Sequence, residues 1–450
     1  LRAPVKVVAR CLAVVTLLAA ALIAAATSAP PAPHPHLILS PIPPPNLYGD
    51  TPNFTAPPAE ASAEVLYAMR WGRRVYASSG PATEFRAPDG TIDVALVMSQ
   101  ASLSRARLPA AYLELAGPET NSVFVVRDLK SGQDQVFRFR QQTFQQSGLV
   151  TLSTRPWRRG HDILEYVPAR RAPTSTVIYL GGNNGDTAKQ VLAVWASRGV
   201  RVLSLPWVQA GTLTPGCIDR VDLDVIEARV RELVEEFGPK GEVALVGFSG
   251  GAPAALMIAS RMPDDLAVVH AVSPTVWHLN GSRGPGCMIA SSPWSTQGRP
   301  VPWVLNFPLR WTTPVALMRR TAGSLSQNTL AVEALEEVSD ARRDAVRFHV
   351  SDVRYPVYLY AGGLDDLIPA AASVELLCAE VATAQCYVNR RAGHDLMGPP
   401  ASPAYCRSPE EALRGTHRRT YCLETARARR LVFNSVLDAL EAGSRLAFIQ

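Results

Sequence analysis

Residues 243–251, Val-Ala-Leu-Val-Gly-Phe-Ser-Gly-Gly, constrain this chain more than any other stretch. Four apolar residues in a row read as a strand buried on both faces. The Ala- and Leu-rich segment 252–260 reads as a helix. The chain must therefore reverse within a few residues, with Ser249 at the tip in a strained backbone conformation. Gly247 and Gly251 carry no Cβ, so strand and helix can close around that tip. The stretch fits the pattern G-x-S-x-G, which in this strand–turn–helix setting exposes a nucleophilic serine at the carboxyl end of a sheet. The N-terminus of the following helix then faces any negative charge that forms beside the serine.

A nucleophilic serine needs a base, and the base needs an acid to orient it. Both candidates lie downstream, each just past a segment that reads as a strand. Residues 356–361 lead into Gly362-Gly-Leu-Asp365-Asp366-Leu-Ile-Pro369, and residues 386–390 lead into Ala392-Gly-His394-Asp395. Open α/β sheets place their chemistry just outside the carboxyl ends of strands. Of the two histidines after residue 366, His417 sits among Arg414, Arg418 and Arg419 and reads as part of a solvated helix. His394 is the candidate base. Asp365 directly follows the turn after its strand and is the preferred acid. Asp366 reads as a turn carboxylate and Asp395 as a helix cap.

These three ordered motifs make the region from about 146 to the C-terminus resemble the α/β-hydrolase superfamily. The resemblance implies a mainly parallel sheet flanked by helices, with Ser249, Asp365 and His394 as a catalytic triad. It also implies an oxyanion hole made by the N–H of Gly250 and one from the loop Gly181-Gly-Asn-Asn-Gly185, at Asn183 or Gly182. A His-Gly pair is common in that loop within the family, and Gly181 stands here where the His would be. No metal or organic cofactor is needed, and no dinucleotide fingerprint is present.

The N-terminus begins with Arg2, Lys6 and Arg10, continues through a mostly apolar run over 11–26, and ends in small residues up to Ala29. This is the layout of a secretory signal peptide (1–29) and predicts a periplasmic or secreted protein, with cleavage near Ala26 or Ala29. An uncleaved membrane anchor is the alternative. The formal charge of +6 falls by three if that segment leaves. Scattered arginines such as Arg427, Arg429 and Arg430 read as solvated surface. No basic stripe alternates with aromatics, so nucleic-acid binding has little support. Six of the seven cysteines follow the segment, an even number that suits disulfides in an exported chain. The preferred pairs are Cys217 with Cys287, Cys378 with Cys386, and Cys406 with Cys422.

A hydrophobic fraction of 47% against 19% charged residues supports a large core. Residues 30–59 are Pro-rich and read as an extended linker. Residues 60–145 read as a β-rich extension, with a lead-in helix over 61–71 and strands at 92–97, 123–126 and 136–139. Residues 128–134 form the turn between the last two. Alternating strands (162–167, 177–180, 200–205) and helices (188–197, 222–237) then predict a parallel sheet. Residues 273–353, rich in Trp, Pro and Gly, interrupt that alternation. In the family such an insert commonly forms a cap over the nucleophile, here bringing Trp277, Trp294, Trp303 and Trp311 as an apolar roof.

The expectation is therefore an exported serine hydrolase cleaving a carboxylic ester, with a small-molecule or lipid-like ester as its partner. No obligate protein partner is inferred. A peptidase or thioesterase with the same residues, and a non-catalytic binding protein on this scaffold, are the other readings.

Overall fold

The computed structural model describes residues 37–39, 46–47, 50–52, 54–71, 73–103, 121–158, 161–182, 189–209, 217–238, 243–283, 289–306, 327–350, 353–401 and 416–447. The expected signal peptide lies outside the described residues.

An eight-stranded sheet organises the chain. Its strands are β1 (Val150–Arg158), β2 (His161–Pro168), β3 (Ser175–Leu180), β4 (Val200–Leu205), β5 (Val243–Phe248), β6 (Val268–Val272), β7 (Val357–Gly362) and β8 (Ala384–Asn389). They lie in the order β1-β2-β4-β3-β5-β6-β7-β8. β2 runs antiparallel to both neighbours, and every pair from β4 to β8 is parallel. With the serine turn at the end of β5, this is the sheet of an α/β-hydrolase, the expected fold class.

β3, β5 and β6 are buried at every residue, which is why they read as unbroken apolar runs rather than as alternation. Alternate side chains feed two cores. Ile178, Leu180 and Leu245 pack with helices α2 (Leu223–Phe237), α3 (Gly251–Arg261) and α4 (Ala370–Glu380). Val177, Tyr179, Ala244 and Val246 pack on the other side with α1 (Lys189–Ser197) and α5 (Thr416–Ala447). On α2 the buried residues Leu223, Ile226, Val230 and Leu233 form one stripe, and Asp222 caps the helix by accepting the N–H of Asp224.

A second, six-stranded sheet is built from the chain before β1, around the central strands Ala63–Trp71, Ser122–Asp128 and Asp134–Phe139. Two expectations fail here. Residues 61–71 do not make a lead-in helix: Ala63–Trp71 is a strand paired on both edges. Val65, Tyr67 and Met69 line one core, so period 2 rather than 3.6 organises their burial. Conversely, 92–97 is not a strand. Val94–Ser99 is a helix, capped by the Asp93 side chain on the N–H of Leu96 (3.0 Å). All six of its residues are buried, which erases any periodicity.

The Pro-rich tract also departs from a free linker. Leu37–Leu39 adds a parallel strand beside Asp134–Phe139, Asn46–Leu47 pairs with Gln141–Gln142, and Phe54 stacks on Phe137 at 4.5 Å. Asp50 accepts from Arg198 at 2.6 Å. The segment is extended, as its prolines dictate, but its non-proline residues have sheet edges and aromatic faces to meet.

Candidate active site

Ser249 sits between β5 and α3 with φ 52°, a left-handed conformation rare for a residue with a side chain. The surrounding glycines explain how the turn closes. A Cβ on Gly247 would lie 2.5 Å from the Gly251 carbonyl oxygen and 2.6 Å from Ala252 Cα. A Cβ on Gly251 would run into the Leu180 carbonyl oxygen of β3 and lie 2.5 Å from that of Gly181. The Ser249 N–H donates to the Val272 carbonyl (2.9 Å), tying the turn to β6.

Asp365 follows β7 and His394 follows β8, so both arrive at the same sheet end as Ser249. His394 Nε2 lies 2.9 Å from Ser249 Oγ, and His394 Nδ1 lies 2.8 Å from Asp365 Oδ2. The other carboxylate oxygen of Asp365 accepts the N–H groups of Leu367 (2.9 Å) and Ile368 (3.1 Å). Asp365 is only 3% exposed, and these bonds keep its carboxylate satisfied without water. Burial pulls the His394 imidazolium down. The hydrogen bond and charge of Asp365, with Asp395 and Asp366 behind it, outweigh burial and hold His394 above its ordinary value. Asp366 is pushed up by burial, with the Asp365 charge adding to the effect.

The sequence-derived residues therefore meet, with Asp365 rather than Asp366 facing the imidazole. Gly250 follows the serine at the start of α3. Gly182 lies alongside: a Cβ there would be 3.5 Å from Ser249 Cβ, ordinary contact. Asn183 lies outside the described residues.

A cavity of about 180 Å³ opens at Ser249. Trp277, Leu279 and Trp294 come to it from the segment expected as a cap, and Trp207 and Ile218 from the chain after β4. Trp207 stacks on Trp294 (centroids 5.1 Å apart) and donates its indole N–H to the Gly181 carbonyl at 2.7 Å. Asn280 and Asn306 add the polar part of the wall. Trp311 lies outside the described residues.

Sequence reasoning missed the residues that hold the His394 loop. Ser273, fully buried with φ 51°, donates its hydroxyl to the His394 carbonyl at 2.8 Å. Thr425 Oγ1 accepts the N–H of Gly393 at 3.0 Å. Arg429, read above as solvated surface, is 6% exposed, and its Nε donates to the Asp395 carbonyl at 2.6 Å. The available signal was helical spacing: Tyr421, Thr425 and Arg429 recur every four residues and continue into the buried Val432 and Val436.

Cys378 is disulfide-bonded to Cys386, one of the preferred pairs. Cys217 and Cys422 each take part in a disulfide as well, and Cys287 and Cys406, the partners expected for them, lie outside the described residues.

No family model matches the chain, and no curated protein matches it. Among solved structures it is similar to esterase B from Lactobacillus rhamnosis at 15% identity and a TM-score of 0.36, covering 66% of this chain and 87% of that one. It is also similar to 2,6-dihydroxy-pseudo-oxynicotine hydrolase (15%, TM-score 0.36, covering 67% and 72%). A third likeness is to the thioesterase domain from the curacin biosynthetic pathway (14%, TM-score 0.29, covering 55% and 95%). The fold stands on the strand order and the Ser249 turn rather than on these distant likenesses.

Proposed function

We propose that this chain is a serine hydrolase that cleaves carboxylic esters through an acyl-enzyme, with Ser249, His394 and Asp365 as its triad. The observation that carries the reading is the His394 ring bridging Ser249 Oγ at 2.9 Å and Asp365 Oδ2 at 2.8 Å. Ser249 Oγ attacks the acyl carbon while His394 Nε2 takes its proton. Asp365 holds the imidazole in the tautomer with its proton on Nδ1 and stabilises the imidazolium that forms. The N–H of Gly250 and one from Gly182 or Asn183 receive the oxyanion, a contribution of about 3–4 kcal/mol per donor in comparable sites. Collapse expels the alcohol, which leaves with the proton from Nε2. Water then attacks the acyl-enzyme with His394 as base and releases the acid and the free serine.

The wall of Trp207, Trp277, Trp294, Ile218 and Leu279 favours an apolar group beside the scissile bond. A space of about 180 Å³ exceeds only slightly the roughly 150 Å³ cavity that accepts benzene, so a compact acyl group is the expected fit. Export remains part of the proposal, supported by the disulfide-bonded cysteines together with the signal-like N-terminus.

The test is hydrolysis of esters of graded acyl length beside aminoacyl amides, with wild type and Ser249→Ala. Turnover of short-acyl esters that falls below a few per cent in the variant, together with fluorophosphonate labelling of wild type only, is the expected result. Full activity in Ser249→Ala, or no labelling of the wild-type protein, overturns the reading.

A further inference from the structure

The loop carrying His394 has no regular secondary structure, yet its ring must satisfy two fixed partners at once. Side chains grip three successive residues of that loop: Thr425 on the Gly393 N–H, Ser273 on the His394 carbonyl, and Arg429 on the Asp395 carbonyl. Arg429 Nη2 also reaches the Asp395 carboxylate at 2.5 Å. At the last residue of β8, Asn389 Nδ2 donates to Glu424 Oε2 at 3.0 Å. Gly393 is packed so closely on Tyr421 that a Cβ would overlap the phenol hydroxyl. Four of these anchors (Tyr421, Glu424, Thr425 and Arg429) project from one face of α5.

The neighbouring face of the same helix turn belongs to the six-stranded sheet. Ala426 is part of that sheet's core, and Leu423 packs against it. Gln100 Nε2 donates to the Cys422 carbonyl at 3.4 Å, and Arg430 is ion-paired with Asp93, the cap of Val94–Ser99. The helix is thus held on one side by the N-terminal sheet and holds the His394 loop on the other.

We propose that α5 is a brace that sets the His394 ring, with Thr425 and Arg429 as positioning residues. The N-terminal sheet is then the backing of the catalytic site rather than a separate module. The proposal rests on the triad reading. Its physical ground is that a displacement of about 1 Å in a catalytic group can cost on the order of a hundredfold in rate. The hydroxyl of Thr425 is what Thr425→Val removes while keeping the side-chain shape.

The experiment compares wild type, Thr425→Val, Thr425→Ser, Arg429→Lys and Asp93→Asn in ester hydrolysis. In parallel, NMR follows the downfield proton that His394 Nδ1 shares with Asp365. Thr425→Val should lower kcat by about 10- to 100-fold with KM within about twofold, and should shift or broaden the proton signal. Thr425→Ser should restore both. Arg429→Lys, whose single amine cannot serve carbonyl and carboxylate as a guanidinium does, should lower kcat about tenfold. Asp93→Asn keeps a helix cap but loses the ion pair with Arg430, and should lower kcat about threefold at constant KM.

Wild-type kcat and an unmoved resonance in both Thr425→Val and Arg429→Lys overturn the brace. If wild type proves inactive, the triad reading fails by itself and the resonance still decides the positioning. If Thr425→Val does not fold, Arg429→Lys and Asp93→Asn carry the same comparison.

Discussion

Asp365 and Asp366 are adjacent, and their surroundings give them different work. Asp365 spends one oxygen on His394 and the other on two backbone N–H groups, so an amide cannot replace it without presenting a donor to a donor. Asp365→Asn should lower kcat by about ten-thousand-fold, as a wrong-tautomer variant does. Asp366→Asn should cost about tenfold or less. Side-by-side kinetics of the two folded variants check the ranking, and the reverse order would move the acid to Asp366. Only neutral His394 can take the serine proton, and its neighbours hold it above the ordinary 6.5. The acid limb of kcat/KM should therefore have its midpoint above pH 6.5. Because Asp366 is one of the carboxylates raising His394, Asp366→Asn should move that limb to lower pH, while a limb that stays put or rises would contradict the assignment.

At the scale of elements, the serine turn is the junction least tolerant of added volume. The atoms a Cβ would meet at Gly251 are carbonyl groups of β3 and the residue after it, which cannot swing aside as a side-chain tip can. Gly251→Ala should cost at least about 3 kcal/mol by overpacking and strain, measured as a lowered denaturation midpoint. Gly132→Ala, at a hairpin tip with open space around it, should pay only the cost of its positive φ. A Gly251→Ala protein as stable as wild type would refute the packing argument. The same turn was legible in the sequence because β5 is buried on both faces and its glycines are forced by contact. Ala63–Trp71 was not legible: its apolar residues fit a helical count as well as an alternating one, and only its pairing partners decide. Arg429 was hidden for the opposite reason. A charge among charges reads as surface until the helix beneath it is seen to carry a buried stripe.

For the molecule as a whole, two histidines outside the triad tie stability to pH. His270, on β6, is fully buried with its ring stacked near those of Tyr358 and Tyr360 on β7, and its Nδ1 lies 3.1 Å from the Tyr360 hydroxyl; burial pushes it down to about 3. His278, beside Phe348, is pushed down to about 4 by the same cause. Both are neutral when folded, whereas the unfolded chain protonates them near 6.5, so stability present above pH 6.5 is lost as pH falls toward the folded-state values. The denaturation midpoint should drop steadily from pH 6.5 to 4. His270→Gln should make that decline shallower, even if the variant is weaker at neutral pH; an unchanged slope would show that other groups govern it. The bonds around His394 also set when the site can exist during folding. Ser249 and His394 are 145 residues apart, Ser273 and His394 are 121 apart, and Thr425 reaches back 32 residues to Gly393. Contacts that distant in sequence form late and slowly, after local hairpins and helices have gathered. Recovery of turnover after denaturation should thus lag behind recovery of helix content, making catalysis a clock for the final docking event.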